Sequence, residues 1–214
     1  MKPYRSFLRP ARLFAAIAAI GALAASLQAC APLIIGSAMV GGTLVATDRR
    51  TSGTQLEDEG IELRSLNRIR ENFVERAHIN VNSYNRQVLL TGEVPTEQDK
   101  RLVEQVVSRV ENVQKIVNEL GVLGNSSLSQ RSSDTLVTAR VKAGFVDAKD
   151  LFANAFKVVT ERGTTYLMGR VTQREAARAT EITRAVSGVQ RVVRIFEIIS
   201  EEEMQRMLPQ PPKS

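Results

Sequence analysis

Apolar positions along this chain switch period at regular intervals, and the switches lay out its elements. In the middle of the chain Leu66, Ile69 and Phe73 recur at helical spacing and predict a helix over 58–76. Strands are expected from Ile79 to Tyr84 and from Gln87 to Val94, with a turn at Asn85-Arg86 between them. Thr96-Glu97-Gln98-Asp99 has the form of a capping box and opens a second helix with the stripe Leu102/Val103, Val106 and Val110. A last strand is expected over 113–122.

The series then starts again. A helix is expected from Ser133-Asp134, and a hairpin at Arg162-Gly163 between Val158-Val159-Thr160 and Thr165-Tyr166-Leu167-Met168. Thr172-Gln173-Arg174-Glu175 caps the next helix, and a final strand is expected over 189–199. Two blocks carry the repeat. Val88-Leu89-Leu90-Thr91-Gly92-Glu93-Val94 matches Tyr166-Leu167-Met168-Gly169-Arg170-Val171, with Gly92 over Gly169. Val110 to Val117 (VENVQKIV) matches Val186 to Val193 (VSGVQRVV), with Asn112 over Gly188. Gly169 lies 77 positions after Gly92 and Val189 lies 76 after Val113; the extra Pro95 accounts for the difference. Between the copies, GNSSLSQRSS (124–133) has the composition of a flexible connection. Helix, hairpin, helix and strand in each copy give an α+β class: two tandem small two-layer sandwiches, each a three-stranded mixed sheet with two helices.

Leu-x-Gly-x-Val before the second helix and Gly-Val-Gln-x-Val-Val after it resemble the BON-domain family over roughly residues 60–200. On that resemblance the first BON domain covers 57–124, a linker 125–133, the second domain 134–200 and a C-terminal tail 201–214.

The N-terminal stretch has a different pattern. Arg5, Arg9 and Arg12 precede the uncharged run LFAAIAAIGALAASL (13–27), the arrangement of an export signal. The run ends in Leu27-Gln28-Ala29-Cys30, which resembles the lipobox of bacterial lipoproteins, with Gln28 where a small or β-branched residue is usual. The resemblance implies removal of residues 1–29 and acylation of Cys30, the chain's one cysteine. Ala31, in place of an aspartate, implies sorting to the outer membrane, periplasmic face. Residues 31–46 (APLIIGSAMVGGTLVA) are too short and too glycine-rich for a spanning helix, and the stretch 30–56 is expected to act as an acylated tether.

Composition narrows the chemistry. The formal charge of +6 owes four of its positive groups to residues 1–29, so a bulk argument for nucleic-acid binding fails. One cysteine and one histidine exclude disulfide frameworks and clusters of several cysteines or histidines around a metal. His78 opens a strand and is expected at a surface or edge, and Glu201-Glu202-Glu203 as a solvated helix start. No nucleophile elbow or phosphate loop is present, so no enzyme, no cofactor and no metal are expected.

Charge separates the two copies. Residues 57–124 hold 12 acids and 9 bases, and residues 125–200 hold 12 bases and 7 acids. Drift on solvated faces explains this, and so does contact of the second copy with an anionic membrane, at about 1 kcal/mol per basic residue near the headgroups. The first helix of the second copy, Leu136 to Val146, is apolar on more than one stripe. The surplus suits either interfacial insertion or burial between the repeats. Resemblance to the dual-BON outer-membrane lipoproteins implies that this helix contacts anionic phospholipid, through Asp134, Leu136, Val137, Arg140, Val141 and Phe145. It also implies a role in envelope integrity, near division sites. The alternative is a scaffold whose acidic first repeat binds outer-membrane assembly or cell-wall-remodelling proteins.

Overall fold

In the computed structural model, residues 48–72 and 77–207 are described; the signal, Cys30, the apolar run 31–46, Phe73 and the tail beyond 207 lie outside them. The first repeat runs α1 (Ser52–Asn72), β1 (His78–Tyr84), β2 (Gln87–Val94), α2 (Glu97–Ser108), β3 (Lys115–Asn118) and β4 (Gly121–Val122). The second runs α3 (Leu128–Asp147), β5 (Phe156–Glu161), β6 (Thr164–Val171), α4 (Gln173–Ala185) and β7 (Arg191–Ile198), followed by a short α5 (Glu201–Met207). In each sheet the hairpin is antiparallel and the strand after the second helix returns parallel to the central strand: β1–β2–β3 with β4 also on β2, and β5–β6–β7.

Three sequence expectations shift. Helix α1 starts at Ser52, not near 58, because the Thr51 hydroxyl accepts the Thr54 amide at 3.1 Å and caps it. The stretch read as a flexible linker is mostly helix. Ser127 caps α3 by accepting from the Gln130 amide, and Ser126 is buried, donating its amide and hydroxyl to Glu93. Serine-rich composition therefore marks capping and anchoring here, which composition alone does not separate from flexibility. The strand expected over 113–122 breaks into β3 and β4, because Asn118 Oδ1 accepts the Leu120 amide and the Leu120 side chain turns into the core.

Both hairpins turn through residues with positive φ, Asn85 (50°) and Arg86 (63°) in one, Arg162 (50°) and Gly163 (71°) in the other. One aspartate serves each turn. Asp58 on α1 accepts the amides of Asn85 and Arg86, both at 2.8 Å. Asp134 on α3 accepts those of Arg162 at 2.8 Å and Gly163 at 2.9 Å. The shared glycine of the strand motif has a steric cause: a Cβ on Gly92 would lie 2.0 Å from the His78 carbonyl oxygen, and one on Gly169 2.5 Å from that of Ala155. Asn112 and Gly188, aligned between the copies, both take positive φ, and asparagine is the side chain that best tolerates it.

Each sheet is covered by helices on one face only. Val88, Leu90 and Val94 pack under α1 and α2 with Val103 and Val107, and Leu167 and Val171 pack under α3 and α4 with Val137, Val141 and Phe145. The opposite faces meet each other: Tyr84 and Leu89 from the first sheet close on Tyr166, Met168 and Ile195 from the second. The order of layers is helices, sheet, sheet, helices. Burial pushes both tyrosine hydroxyls up to about 12.

The segment before α1 straps the two repeats. Arg49 is buried and pairs bidentately with Glu175 at 2.7 Å through each nitrogen, while Nη1 also donates to the Arg170 carbonyl at 2.8 Å. Its neighbour Arg50 turns to the first repeat, pairing with Asp58 at 2.8 Å and lying over the Tyr84 ring. Glu175 is also the capping-box acid of α4. Burial alone would raise its pKa, but Arg49 and the Thr172 amide hold it below the usual carboxylate value.

Removing one partner of a buried pair strands the other, at about 3–5 kcal/mol. Arg49→Ala is therefore expected to lower the thermal midpoint strongly at pH 7. Because the folded Glu175 carboxyl has a lowered pKa, this contribution is complete above the unfolded carboxylate pKa of about 4.3 and fades as pH falls below it. Thermal scans should show the gap between wild type and Arg49→Ala narrowing towards pH 3. Asp134→Ala leaves two turn amides without their acceptor and is expected to cost roughly 2–3 kcal/mol in denaturant unfolding.

Candidate functional site

Helix α3 has two apolar sides. Val137, Val141 and Phe145 recur at helical spacing and sit in the core of the second repeat, with Phe145 against Phe156 at a centroid distance of 5.1 Å. The opposite stripe, Leu128, Ser132, Leu136, Ala139, Ala143 and Val146, is exposed along its length. Leu128 is 79%, Leu136 57% and Val146 72% exposed. At 100° per residue Arg140 flanks this stripe on one side and Lys142 on the other, both exposed. The Arg140 guanidinium donates to the Ser187 carbonyl at 3.4 Å.

The six residues singled out on this helix thus divide by face. Leu136 and Arg140 stand on the outer surface. Val137, Val141 and Phe145 hold the helix to its sheet, and Asp134 is buried, spent on the hairpin turn. Leu128 and Val146 extend the outer stripe, and the signal for them was the spacing 128, 132, 136, 139, 143, 146 on the side opposite Val141. Cys30 lies outside the described residues.

The counterpart in the first repeat has another character. Helix α1 also exposes Leu56 and Leu63, but Glu59, Arg70 and Glu71 are exposed among them, Arg64 is paired with Glu57 at 2.6 Å, and Glu62 turns to Lys157 of the second repeat. Exposed charges of both signs stand beside the α1 leucines, whereas Arg140 and Lys142 flank the α3 stripe, and the outer helical faces of the two repeats differ in this way.

Beside the apolar contact between the two sheets, the repeats are also joined by ion pairs. Lys157 pairs with Glu62, Arg162 with Glu93 at 3.2 Å and Arg191 with Glu119 at 2.8 Å, each joining a second-repeat cation to a first-repeat acid. The excess charges of the two repeats are thus partly spent on each other. A cleft of about 470 Å³ at this junction is lined by Arg50, Glu62, Tyr84, Lys142 and Lys157, with Arg50 and Lys157 taken up by neighbouring acids. His78, expected at a surface, is half-buried, its Nδ1 3.1 Å from Glu93 Oε2. Burial pushes the Glu161 carboxyl up; burial pushes Glu93 the same way, but the Ser126 amide, Arg162 and His78 outweigh it and hold that carboxyl down. Among the described residues, His78, Glu93 and Glu161 are grouped closely enough to hold a metal ion, and no helix is long and apolar enough to cross a membrane.

Comparison with known proteins agrees with this architecture. The BON domain model matches twice, over residues 57–124 and 133–199. The outer membrane lipoprotein DolP of Haemophilus influenzae is 38% identical over 176 residues, covering 81% of this chain and 90% of its own length. A 21 kDa hemolysin of Actinobacillus pleuropneumoniae is 31% identical over 154 residues, 71% of this chain and 79% of its own. Among solved structures, the C-terminal domain of CdsD, a structural protein of the Chlamydia trachomatis type III secretion system, aligns over 71% of this chain and all of its own at 12% identity. Its TM-score is 0.28, too loose to add to the fold assignment. Two matched domains and a relative aligned over most of both chains place the protein in the BON-domain family, as a double-BON outer-membrane lipoprotein of the DolP type.

Proposed function

We propose that this lipoprotein is a non-enzymatic membrane-binding module. Acyl chains on Cys30 hold it to the outer membrane, and the outer face of α3 in the second BON domain rests on anionic phospholipid. Such contact supports envelope integrity by keeping the body on the bilayer surface. The observation that carries this reading is the exposed stripe Leu128, Leu136, Val146 with Arg140 and Lys142 on its flanks. A helix with leucine and valine turned to solvent and cations on either side has the pattern of shallow interfacial insertion. The core-facing residues Val137, Val141 and Phe145 act by fixing this helix, and Asp134 by tying it to the hairpin.

Acyl anchorage raises the local concentration of the α3 surface at the bilayer, so a weak headgroup contact suffices. The outer face of α1 carries exposed Glu59 and Glu71 against one exposed cation, Arg70, and lacks the pair of flanking cations that α3 offers anionic lipid. Contacts are therefore expected from the second repeat alone.

Flotation of the body from residue 42 onward with phosphatidylglycerol-containing vesicles tests the site. Binding is expected to weaken with salt and to fall about tenfold or more in Arg140→Glu, since each basic group near the surface is worth about 1 kcal/mol and the reversal adds repulsion. Leu136→Asp should do likewise, whereas Leu63→Asp on α1 should leave binding unchanged. Binding that ignores both α3 changes sinks the lipid site, and vesicle-indifferent protein that still retains an envelope protein through its first repeat favours the scaffold function instead. Mass spectrometry of the protein extracted from membranes is expected to find residues 1–29 absent and Cys30 bearing a diacylglyceryl and an N-acyl group; an unmodified thiol overturns the anchor.

A further inference from the structure

We propose that His78, Glu93 and Glu161 form a divalent transition-metal site, with zinc the best-matched ion, that joins the two repeats. His78 and Glu93 come from the β1–β2 pair of the first repeat, where they face each other across the ladder, and Glu161 ends β5 of the second. Each offers one ligand atom, and these atoms all lie within 4.8 Å of one another. Three atoms so spaced leave a point within about 2.8 Å of all of them, and zinc bonds to nitrogen and oxygen need about 2.0–2.2 Å. A contraction of well under an ångström per side chain closes the site. The separation of 3.1 Å between His78 Nδ1 and Glu93 Oε2 is already that of neighbouring ligands on one ion.

The two carboxylates are buried and all three side chains are oriented. Glu93 is 0% and Glu161 7% exposed. Arg162 and Ser126 hold the Glu93 carboxylate, and the Asn80 amide donates to Glu161 at 2.8 Å. Such outer hydrogen bonds are what fixes ligands in metal centres. Glu161 has no ion pair among the described residues, so it is a buried carboxylate lacking a cation. A pocket of about 220 Å³ bounded by His78, Asn80, Arg131 and Glu161 gives an ion entry and room for a water as fourth ligand. One imidazole with two carboxylates suits zinc and its neighbours over magnesium or calcium, which take oxygen alone.

His78 is the chain's one histidine, which makes its imidazole resonances unambiguous in the untagged full-length protein in detergent. Zinc chloride titrated into metal-stripped protein is expected to shift those resonances to completion near one equivalent. At a free concentration hundredfold above the dissociation constant it should raise the thermal midpoint by about 5–10 °C. His78→Asn and Glu161→Gln should each abolish the increment while keeping a wild-type circular dichroism spectrum, and magnesium should produce none. Unmoved imidazole resonances at millimolar zinc, or an undiminished increment in either variant, overturns the site. If a variant fails to fold, the imidazole titration of the wild-type protein decides alone.

Discussion

A small sheet covered by helices on one side has an apolar underside with nowhere to go but another copy of itself. That constraint governs this molecule. Leu89 and Tyr84 in one repeat, and Met168, Tyr166 and Ile195 in the other, are too apolar to face water, and each set is the cover for the other. Central strands β2 and β6 are consequently buried on both faces. Once the undersides are spent on each other, the outer helical faces are what each repeat has left to offer a partner.

Duplication allowed those outer faces to diverge. The folding devices stayed the same: one helix aspartate per hairpin turn, one glycine per central strand where a carbonyl approaches, one left-handed residue before each returning strand. The surface did not. Helix α1 exposes charges of both signs beside its leucines, and α3 carries an apolar stripe between two cations. Where the repeats meet, the divergence becomes complementarity, as Lys157, Arg162 and Arg191 of the second pair with Glu62, Glu93 and Glu119 of the first. Opposite charge on two copies of one fold thus serves their mutual docking as well as any external contact.

The strap at Arg49 and Arg50 joins the two repeats to each other. Two adjacent arginines reach opposite repeats, Arg49 to Glu175 and Arg50 to Asp58. A buried guanidinium held by a bidentate carboxylate resists displacement because parting leaves both charges without solvent. The segment just before α1 is in this way fastened to the second repeat's α4 cap before the first repeat begins.

Much of this was legible in the residues alone. Period changes and cap residues located both hairpins, the N-caps at Thr96 and Thr172 and the repeat, because backbone geometry imposes those spacings locally. The repeat motif and the lipobox-like Leu27 to Cys30 pointed to the family and its anchor. Local pattern did not separate the two sides of α3: Val141 and Val146 are equally apolar, and which one meets the sheet is decided by where the sheet lies. Nor did it show that Ser126 and Ser127 cap and anchor rather than flex, or that His78 sits beside two buried acids. Arg49 looked like tether until the fold brought Glu175, 126 residues away, against it. Element type follows from short-range sterics and hydrogen bonding, which a sequence carries; the partner of a charge or an apolar side chain follows from contacts across long chain separations, which only the folded chain creates.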